Sequence, residues 1–324
     1  MEEEESNAPQ KDISSLVIAS TSHNVNSTYN LYIERNRIIN GNKVIKVDNS
    51  NYALSNDGQG LNVQSLQHSL LKHAWRSNFS SPIHEALKTG GLKVLDVGCG
   101  HGAWLLDMCK DYPLCDFVGL DISPVFPSTS SLSPNLSNLA FIQSNALDGL
   151  PFKDNTFDFV HQRLWLNALN VRQWEPAIRE LKRVCKVGGW LELLETDVVY
   201  HNEGINTRNL RASHVCRQIP HFLKSDGSFD EVNKTECDIP LGSWNGKFGE
   251  LAMKIIYEGY KVIYPELKPI MEVNEEEYEE ILNKFNEIDN WSYSRSGSSN
   301  STITDISRST QSTFQLSFDD LNKK

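Results

Sequence analysis

The chain has 324 residues, of which 39% are hydrophobic, and its formal net charge at pH 7 is −11. This length is sufficient for one large domain or two small ones with a buried core. Two acidic runs, residues 2–5 and 272–289, supply much of the charge, and no basic run balances them. The composition therefore argues against a nucleic-acid partner, which would require clustered lysine and arginine.

The cysteines and the N-terminal residues indicate in which cellular compartment the protein is found. Six cysteines are scattered without a Cys-x-x-Cys pair, which favours reduced thiols over a zinc site or a disulfide framework. The polar N-terminal residues lack the charged-then-apolar pattern of a signal sequence, and no apolar run approaches the length that spans a bilayer. We therefore expect an intracellular protein, cytoplasmic or nuclear, without a membrane partner.

The predicted elements begin after a polar, aperiodic N-terminal segment, residues 1–50, for which we expect disorder over most of its length. Apolar residues at helical spacing predict an amphipathic helix over 61–76. A shorter helix is predicted over 84–89, where Gly90-Gly91 ends it. These two helices precede the main fold.

From residue 93 onward, short apolar strands alternate with helices. The predicted order is strand 93–97, helix 103–110, strand 116–120, strand 139–143, strand 157–161, a helix from the cap Asn170 to about 186 that Gly188-Gly189 ends, and strand 190–195. This alternation predicts an α/β fold, a Rossmann-like, doubly wound, mostly parallel sheet with helices on both faces.

Beyond residue 200 the pattern weakens. The predicted elements are a helix near 208–224, a strand near 234–239 and helices near 248–258 and 275–288. Residues 291–324 are rich in serine and predict a disordered tail. The final antiparallel strand of the sheet would then be missing or truncated to a few residues around 291–294.

The most informative stretch is VLDVGCGHGAW, residues 94–104, in which glycines alternate at 98, 100 and 102. Such a loop before a helix N-terminus suits the pyrophosphate of a dinucleotide or the methionyl carboxylate of S-adenosylmethionine. Asp96 precedes the loop, and a carboxylate there repels phosphates but attracts an ammonium and a sulfonium. Asp96 therefore favours S-adenosylmethionine, whereas Asp121, which ends the second strand, suits the ribose of either ligand.

The sequence then supplies an adenine site and a recognisable order of motifs. Asn145, at the end of the third strand, suits the edge of an adenine ring. The segment 92–196 resembles a class I S-adenosylmethionine-dependent methyltransferase in five ordered motifs: VLDVGCGHG, VGLDIS, NALDGLPF, DNTFDFVHQR and LKRVCKVGGWLELLE. A wider stretch, about 50–290, is similar to a fungal group of such enzymes related to LaeA-like regulators of secondary metabolism.

This resemblance implies one methyltransferase domain over 51–290, with a helical lid at 61–89 and the cofactor core at 92–196. The acceptor would be a small molecule or a protein side chain; the sequence leaves its identity and the oligomeric state open. The expected cofactor contacts are Asp96, Gly98, Cys99, Gly100, Gly102, Asp121, Ile122, Asn145, Ala146 and Gln162.

The acceptor side is expected just past the fourth strand. His161, Gln162 and Arg163 would lie nearest the sulfonium, and His161 is the candidate general base. The alternative for His161 is a structural role, because positioning alone can supply most of the catalysis of a methyl transfer. The lid is expected to reach the cofactor through His68, Asn78 and Phe79. No metal site is expected, since Asp197 and His201 lack a third ligand.

Two other functions remain open at this level. The segment between Tyr200 and the strand near 234 is short for the family, and the C-terminal strand is altered. Either departure is compatible with a non-catalytic, methyltransferase-like interaction protein. The glycine spacing alone is also compatible with an NAD-dependent oxidoreductase.

Overall fold

A computed structural model of the chain describes residues 36–39, 42–45, 58–127, 136–166, 168–201, 215–224, 231–242, 245–271, 274–281, 283 and 308–317. The helices are α1 (Gly58–Trp75), α2 (His84–Thr89), α3 (Ala103–Asp111), α4 (Val171–Val184), α5 (Val215–Lys224) and α6 (Gly246–Met271). Residues 275–281 are also helical. The strands are β1 (Asn36–Ile39), β2 (Asn42–Ile45), β3 (Lys93–Val97), β4 (Asp116–Asp121), β5 (Leu139–Gln143), β6 (Phe157–Arg163), β7 (Cys185–His201), β8 (Glu231–Pro240) and β9 (Arg308–Ser317).

Seven of these strands form one sheet in the order β5-β4-β3-β6-β7-β9-β8. The first five positions are parallel, and β9 runs antiparallel to both of its neighbours. The chain leaves the central strand β3 toward β5, then returns to the other side of β3 to form β6. This reversal opens a crevice at the carboxyl ends of the strands, where α/β sheets bind ligands. The predicted doubly wound α/β fold is confirmed.

Helices cover both faces of the sheet because side chains alternate along each strand. In β3, Leu95 belongs to the cluster beneath α4 and α5, whereas Val94 belongs to the cluster beneath α2 and α3. A third apolar cluster joins α1 to α6. The helix that precedes the sheet in sequence is therefore packed onto the main domain.

The parallel strands and the first two helices lie close to their predicted positions, but the end of α4 differs. The predicted helix continues to about residue 186, whereas α4 ends at Val184 and β7 begins at once with Cys185. Cys185 has extended dihedral angles and pairs with Phe157 of β6. Pairing in the sheet thus outweighs the continuing helical pattern, and the two glycines at 188 and 189 lie within the strand.

The C-terminal region requires the main correction. The sequence predicts a disordered tail over 291–324 with the last strand missing or truncated near 291–294, but residues 308–317 form β9 between β7 and β8. The strand occupies a central position despite its polar sequence because its backbone forms hydrogen bonds on both sides. Threonine and phenylalanine within it also favour extended structure. The shorter strand predicted near 291–294 lies outside the described residues.

The N-terminal segment also contains structure that the sequence does not predict. Strands β1 and β2 pair as an antiparallel hairpin, with Asn36 opposite Ile45. The remainder of the predicted disordered segment up to residue 50 lies outside the described residues, as does the predicted helical stretch 208–214.

Candidate active site

The glycine loop between β3 and α3 lies at the carboxyl end of the central strand. Gly98 and Gly100 have φ angles of 73° and 55°, a region that disfavours side chains. A Cβ at Gly98 would collide with the Trp165 indole, and a Cβ at Gly100 would lie 2.5 Å from Gln64 Oε1. Conformation and the rigid indole both require glycine at position 98, whereas at Gly100 the positive φ favours glycine and the Gln64 side chain would have to move for any Cβ.

The strand β4 holds the first half of this loop. The amides of Gly98 and Cys99 donate to the Leu120 carbonyl at 2.7 and 3.1 Å. The Gly100 amide donates to Asp121 Oδ2 at 2.8 Å. These bonds place the Asp121 carboxylate directly against the loop.

The helix α1 holds the second half. Gln64 Oε1 accepts from the His101 amide at 3.2 Å and from His101 Nδ1 at 2.9 Å, and Ser65 Oγ lies 2.9 Å from His101 Nε2. The Gly102 amide donates to the Cys99 carbonyl at 3.0 Å. Each backbone amide from residue 98 to residue 102 therefore already donates a hydrogen bond within the protein.

Asp121 is a buried carboxylate at the end of β4. Its Oδ1 also accepts from the Ser123 amide at 2.8 Å. Burial, with a smaller contribution from the negative charge of Asp96, raises the pKa of Asp121 to about 6, although its backbone hydrogen bonds oppose the shift. The group is therefore mainly ionised at pH 7 and titrates just below it.

We call the cavity above this loop the glycine-loop cleft. It collects residues from the carboxyl ends of β3, β4, β5 and β6 and from α1. Its lining includes seven of the ten predicted cofactor residues, namely Gly98, Cys99, Gly100, Asp121, Ile122, Asn145 and Ala146. Asn145 also caps the 3-10 turn Ala146–Asp148, because its Oδ1 accepts from the Leu147 amide at 3.0 Å.

The other three predicted cofactor residues do not line the cleft. Gly102 caps the N-terminus of α3 in a left-handed conformation. Gln162 is fully buried and donates from Nε2 to Glu195 at 2.6 Å. Its neighbours His161 and Arg163 point to the opposite face of the sheet, since side chains alternate along a strand. Gln162 is therefore on the face opposite His161 and Arg163, and the expectation that all three lie nearest the sulfonium stays a prediction.

Asp96, the third, is buried and forms a pair with His161. Asp96 Oδ1 lies 2.8 Å from His161 Nδ1, and the two side chains are 2% and 1% exposed. The Trp104 indole stacks on the His161 ring with centroids 4.0 Å apart and planes 1° from parallel. The pair and the indole together fix the orientation of the imidazole.

His161 faces a second, smaller cavity rather than the glycine-loop cleft. We call it the second cavity; it lies between α1, the segment after α1, and strands β6 and β7. Its lining is His68, Leu71, Lys72, Trp75, Ser77, Asn78, Phe79, Ser80, His161, Arg163, Glu192 and Leu194. Arg163 is the one side chain that lines both cavities.

The residues of the predicted lid are therefore divided between the two cavities. His68, Asn78 and Phe79, expected over the cofactor, line the second cavity, whereas Gln64 and Gln67 of α1 line the glycine-loop cleft. The five residues follow the helix and its continuation in order, so α1 crosses from one cavity to the other.

Polar contacts attach α1 to α3 and β6. His68 Nε2 lies 3.2 Å from Asp107 Oδ2, and Lys72 also pairs with Asp107. Arg163 Nη1 donates to His68 Nδ1 at 3.2 Å. Burial and the charge of Arg163 lower the pKa of His68 to about 4. His68 is therefore neutral at physiological pH, with Nδ1 as the acceptor and Nε2–H as the donor to Asp107.

Two buried glutamates of β7 hold the surrounding loops. Glu195 Oε1 accepts from Gln162 Nε2 at 2.6 Å and from the Trp165 amide at 2.7 Å, and its Oε2 accepts from the Leu166 amide at 3.1 Å. Burial raises the pKa of Glu195 to about 7. Glu192, on the other face, accepts from the Ser80 and Ser81 amides and, at 2.6 Å, from Ser81 Oγ.

Sequence reasoning missed these supporting residues. The available signal for the glutamates was LELLE, residues 191–195, where two charged residues interrupt an apolar strand. A charge buried in a strand needs several donors, which marks it as a loop anchor. Nothing local identifies Gln64 and Gln67, because their role depends on how α1 docks.

The described residues offer neither a metal site nor a membrane-spanning helix. No cluster of three His, Cys, Asp or Glu side chains there is arranged to hold a metal ion. No helix in the described ranges combines the length and the apolar character needed to cross a membrane.

Comparisons with known proteins agree with this geometry. Residues 94–189 match a family model described as a methyltransferase domain. The chain is 31% identical over 223 residues to the N-methyltransferase sirN of Leptosphaeria maculans, covering 63% of this chain and 76% of that protein.

Two further relatives match over shorter stretches. The chain is 30% identical over 166 residues to the methyltransferase str3 of Strobilurus tenacellus, covering 46% of this chain and 57% of that protein. It is 32% identical over 121 residues to the secondary metabolism regulator laeA of Coprinopsis cinerea, covering 37% of this chain and 28% of that protein. The chain thus spans three quarters of the first relative and about half or less of the other two.

Proposed function

The chain belongs to the class I S-adenosylmethionine-dependent methyltransferases, and we propose that it methylates a nitrogen or oxygen atom of a small-molecule acceptor. The observation that carries this proposal is that one side chain, Arg163, lines both the glycine-loop cleft and the second cavity. A cofactor in the cleft would meet an acceptor admitted to the second cavity, which in this structure has room for about one water and would have to widen. When bound, S-adenosylmethionine supplies a methyl group that its positively charged sulfur already activates for displacement.

The residues of the cleft fit this cofactor. The ionised carboxylate of Asp121 would accept hydrogen bonds from the ribose hydroxyls. Ile122 and Ala146 offer apolar surface for the adenine ring, and Asn145 lies beside them for its polar edge. The left-handed glycine at 98 leaves the loop without a Cβ toward the cleft. These are the groups that an adenosine with a charged amino-acid tail requires.

Membership of the methyltransferase family sets aside the oxidoreductase alternative. Asp96 does not face the cofactor site directly, because its side chain is paired with His161 and does not line the cleft. Its negative charge still acts there, since it contributes to the raised pKa of Asp121.

We assign His161 as the general base for the acceptor. Because Asp96 accepts the hydrogen bond from Nδ1–H, the other ring nitrogen, Nε2, carries the lone pair. His161 lines the second cavity with Asn78 and Ser80, which would orient a polar acceptor. A base is useful where the attacking nitrogen or oxygen arrives protonated, and a nitrogen acceptor is in line with the name of the N-methyltransferase relative sirN.

The second cavity has room for about one water molecule in this structure, which disfavours a macromolecular acceptor. The cavity is enclosed by α1 on one side and by Ser77–Ser80 on another, and its lining mixes aromatic and polar side chains. The net charge of −11 further disfavours a nucleic acid acceptor.

The non-catalytic alternative loses its main support. It depended on a truncated C-terminal strand, and β9 fills that position with ten residues paired to β7 and β8. The other departure, the segment after Tyr200, lies largely outside the described residues.

A labelling experiment tests the proposal. The full chain is incubated with S-adenosyl-[methyl-³H]methionine and with either the small-molecule fraction or the protein fraction of a fungal cell extract. We expect label in the small-molecule fraction, and loss of that label with the Asp121→Ala variant. Label confined to protein would contradict a small-molecule acceptor, and no transfer to either fraction would contradict the proposed activity.

A further inference from the structure

We propose that Arg163 binds the methionyl carboxylate of the cofactor; this inference rests on the proposed function. A carboxylate bound in the cleft needs hydrogen-bond donors or a positive charge to stabilise it. The sequence suggested the amides of the glycine loop and the N-terminus of α3 for this purpose. The structure favours a side chain of β6 instead.

The loop amides are engaged elsewhere. Those of residues 98 and 99 donate to β4, that of Gly100 to Asp121, that of His101 to Gln64, and that of Gly102 within the loop. A carboxylate could take one of these donors only by displacing its present acceptor. Two of those acceptors, Asp121 and Gln64, themselves line the cleft.

The N-terminus of α3 does not reach the cleft. Gly102 precedes the helix and is buried, and a Cβ there would lie 2.6 Å from the Phe141 ring. Neither Gly102 nor Ala103 is among the residues that line the cleft. The positive end of this helix therefore does not provide the contact that the sequence suggested.

Arg163 is the one lysine or arginine among the residues described as lining the cleft. The remaining basic group there, His101, has its pKa lowered by burial and by Arg163. A guanidinium offers up to five N–H donors in a planar fork that matches a carboxylate. It is thus the natural partner for an anion at this position.

Arg163 also lacks a carboxylate partner within the described part of the chain. Its one hydrogen bond there goes to His68 Nδ1. Burial lowers the pKa of Arg163, and the nearby charges of Asp96 and Asp107 offset this only in part. Asp96 pairs with His161, and Asp107 pairs with His68 and Lys72. A half-buried guanidinium with donors to spare is stabilised by an incoming anion.

This placement would bring the amino-acid end of the cofactor to the boundary with the second cavity. Arg163 would then hold the cofactor carboxylate and also line the second cavity, where the acceptor is proposed to bind. Arg163 would act as a positioning residue for methyl transfer as well as a binding residue for the cofactor.

The test compares two ligands that differ in the amino-acid tail. Titration calorimetry measures the affinity of the full chain for S-adenosylhomocysteine and for 5′-methylthioadenosine, which lacks the carboxylate. We expect Arg163→Gln to weaken S-adenosylhomocysteine by roughly tenfold or more, the range for a lost charge-assisted hydrogen bond, and to leave 5′-methylthioadenosine within about twofold. Arg163→Lys should recover part of the loss, and the exposed Arg172→Gln should change neither ligand.

The outcomes separate this inference from the proposed function. Wild-type protein that fails to bind S-adenosylhomocysteine would overturn both. Wild-type binding with unchanged affinity in Arg163→Gln would overturn only the role of Arg163. Equal weakening of both ligands would also overturn it, because it would show that Arg163 supports the shape of the cleft rather than the carboxylate.

Discussion

Asp96 and His161 lie opposite each other on the neighbouring parallel strands β3 and β6, and Asp96 Oδ1 accepts a hydrogen bond from His161 Nδ1 at 2.8 Å. The bond links the strand that leads into the glycine loop to the strand that ends at the acceptor side. It also presents Nε2 of His161 as the basic nitrogen. The buried pair is therefore the structural basis for the proposed division into a cofactor cleft and an acceptor cavity.

Removing the imidazole should affect turnover and leave cofactor binding intact. We expect His161→Gln to lower kcat for the labelled small-molecule fraction by about 10²–10⁴-fold, the usual contribution of a general base. The affinity for S-adenosylhomocysteine should stay within about twofold, since His161 does not line the cleft. The exposed His84→Gln is the control. Unchanged turnover in His161→Gln would show that the histidine is structural.

Cofactor affinity should depend on pH through Asp121. The pKa of this carboxyl is raised to about 6, so it gains a proton as the pH falls through 6 and loses the charge that strengthens hydrogen bonds to ribose. We expect affinity for S-adenosylhomocysteine to fall between pH 7.5 and pH 5. Asp121→Asn should bind about 10- to 100-fold more weakly at pH 7.5, with a flatter pH profile. A variant with wild-type affinity and profile in calorimetry would contradict the assignment.

Glu195 should contribute to stability rather than to chemistry. Glu195→Ala leaves three buried donors without an acceptor: Gln162 Nε2 and the amides of Trp165 and Leu166. We expect a loss of about 3–5 kcal/mol in the free energy of unfolding, measured by chemical denaturation. The exposed Glu175, which pairs with Arg179 on the surface, is the control, and Glu175→Ala should change stability by less than about 0.5 kcal/mol. Equal effects of the two variants would contradict the anchoring role.

Variants at two glycines distinguish the stability cost of a steric contact between the glycine loop and α1 from the cost of backbone strain. Gly100 and Gly91 both have positive φ, but a Cβ at Gly91 meets no atom within 4 Å, whereas one at Gly100 meets Gln64. Gly91→Ala should cost about 1–3 kcal/mol of stability through strain alone. Gly100→Ala should cost more and should weaken S-adenosylhomocysteine. Adding Gln64→Ala should restore part of the stability that Gly100→Ala loses. No recovery would show that the Gln64 side chain does not clash with a Cβ at position 100.

The sequence predicted those parts of the fold that local patterns determine. Apolar runs predicted the parallel strands, and the glycines predicted the loop and its cleft. The prediction for residues 161–163 treated three consecutive strand residues as neighbours, although alternation sends Gln162 to the face opposite His161 and Arg163. The strand β9 and the cleft contacts of Gln64 could not be predicted, because each depends on pairing or docking between segments far apart in the chain.

Thermal unfolding of the full chain with alternative ligands tests the central claim most directly. S-Adenosylhomocysteine at about one hundred times its dissociation constant should stabilise the fold by roughly 2.7 kcal/mol and raise Tm. NAD at the same concentration should leave Tm unchanged, because the cleft is proposed to recognise an adenosine with a methionyl tail. A rise in Tm with S-adenosylhomocysteine alone is the predicted result. A rise with NAD alone would contradict the account.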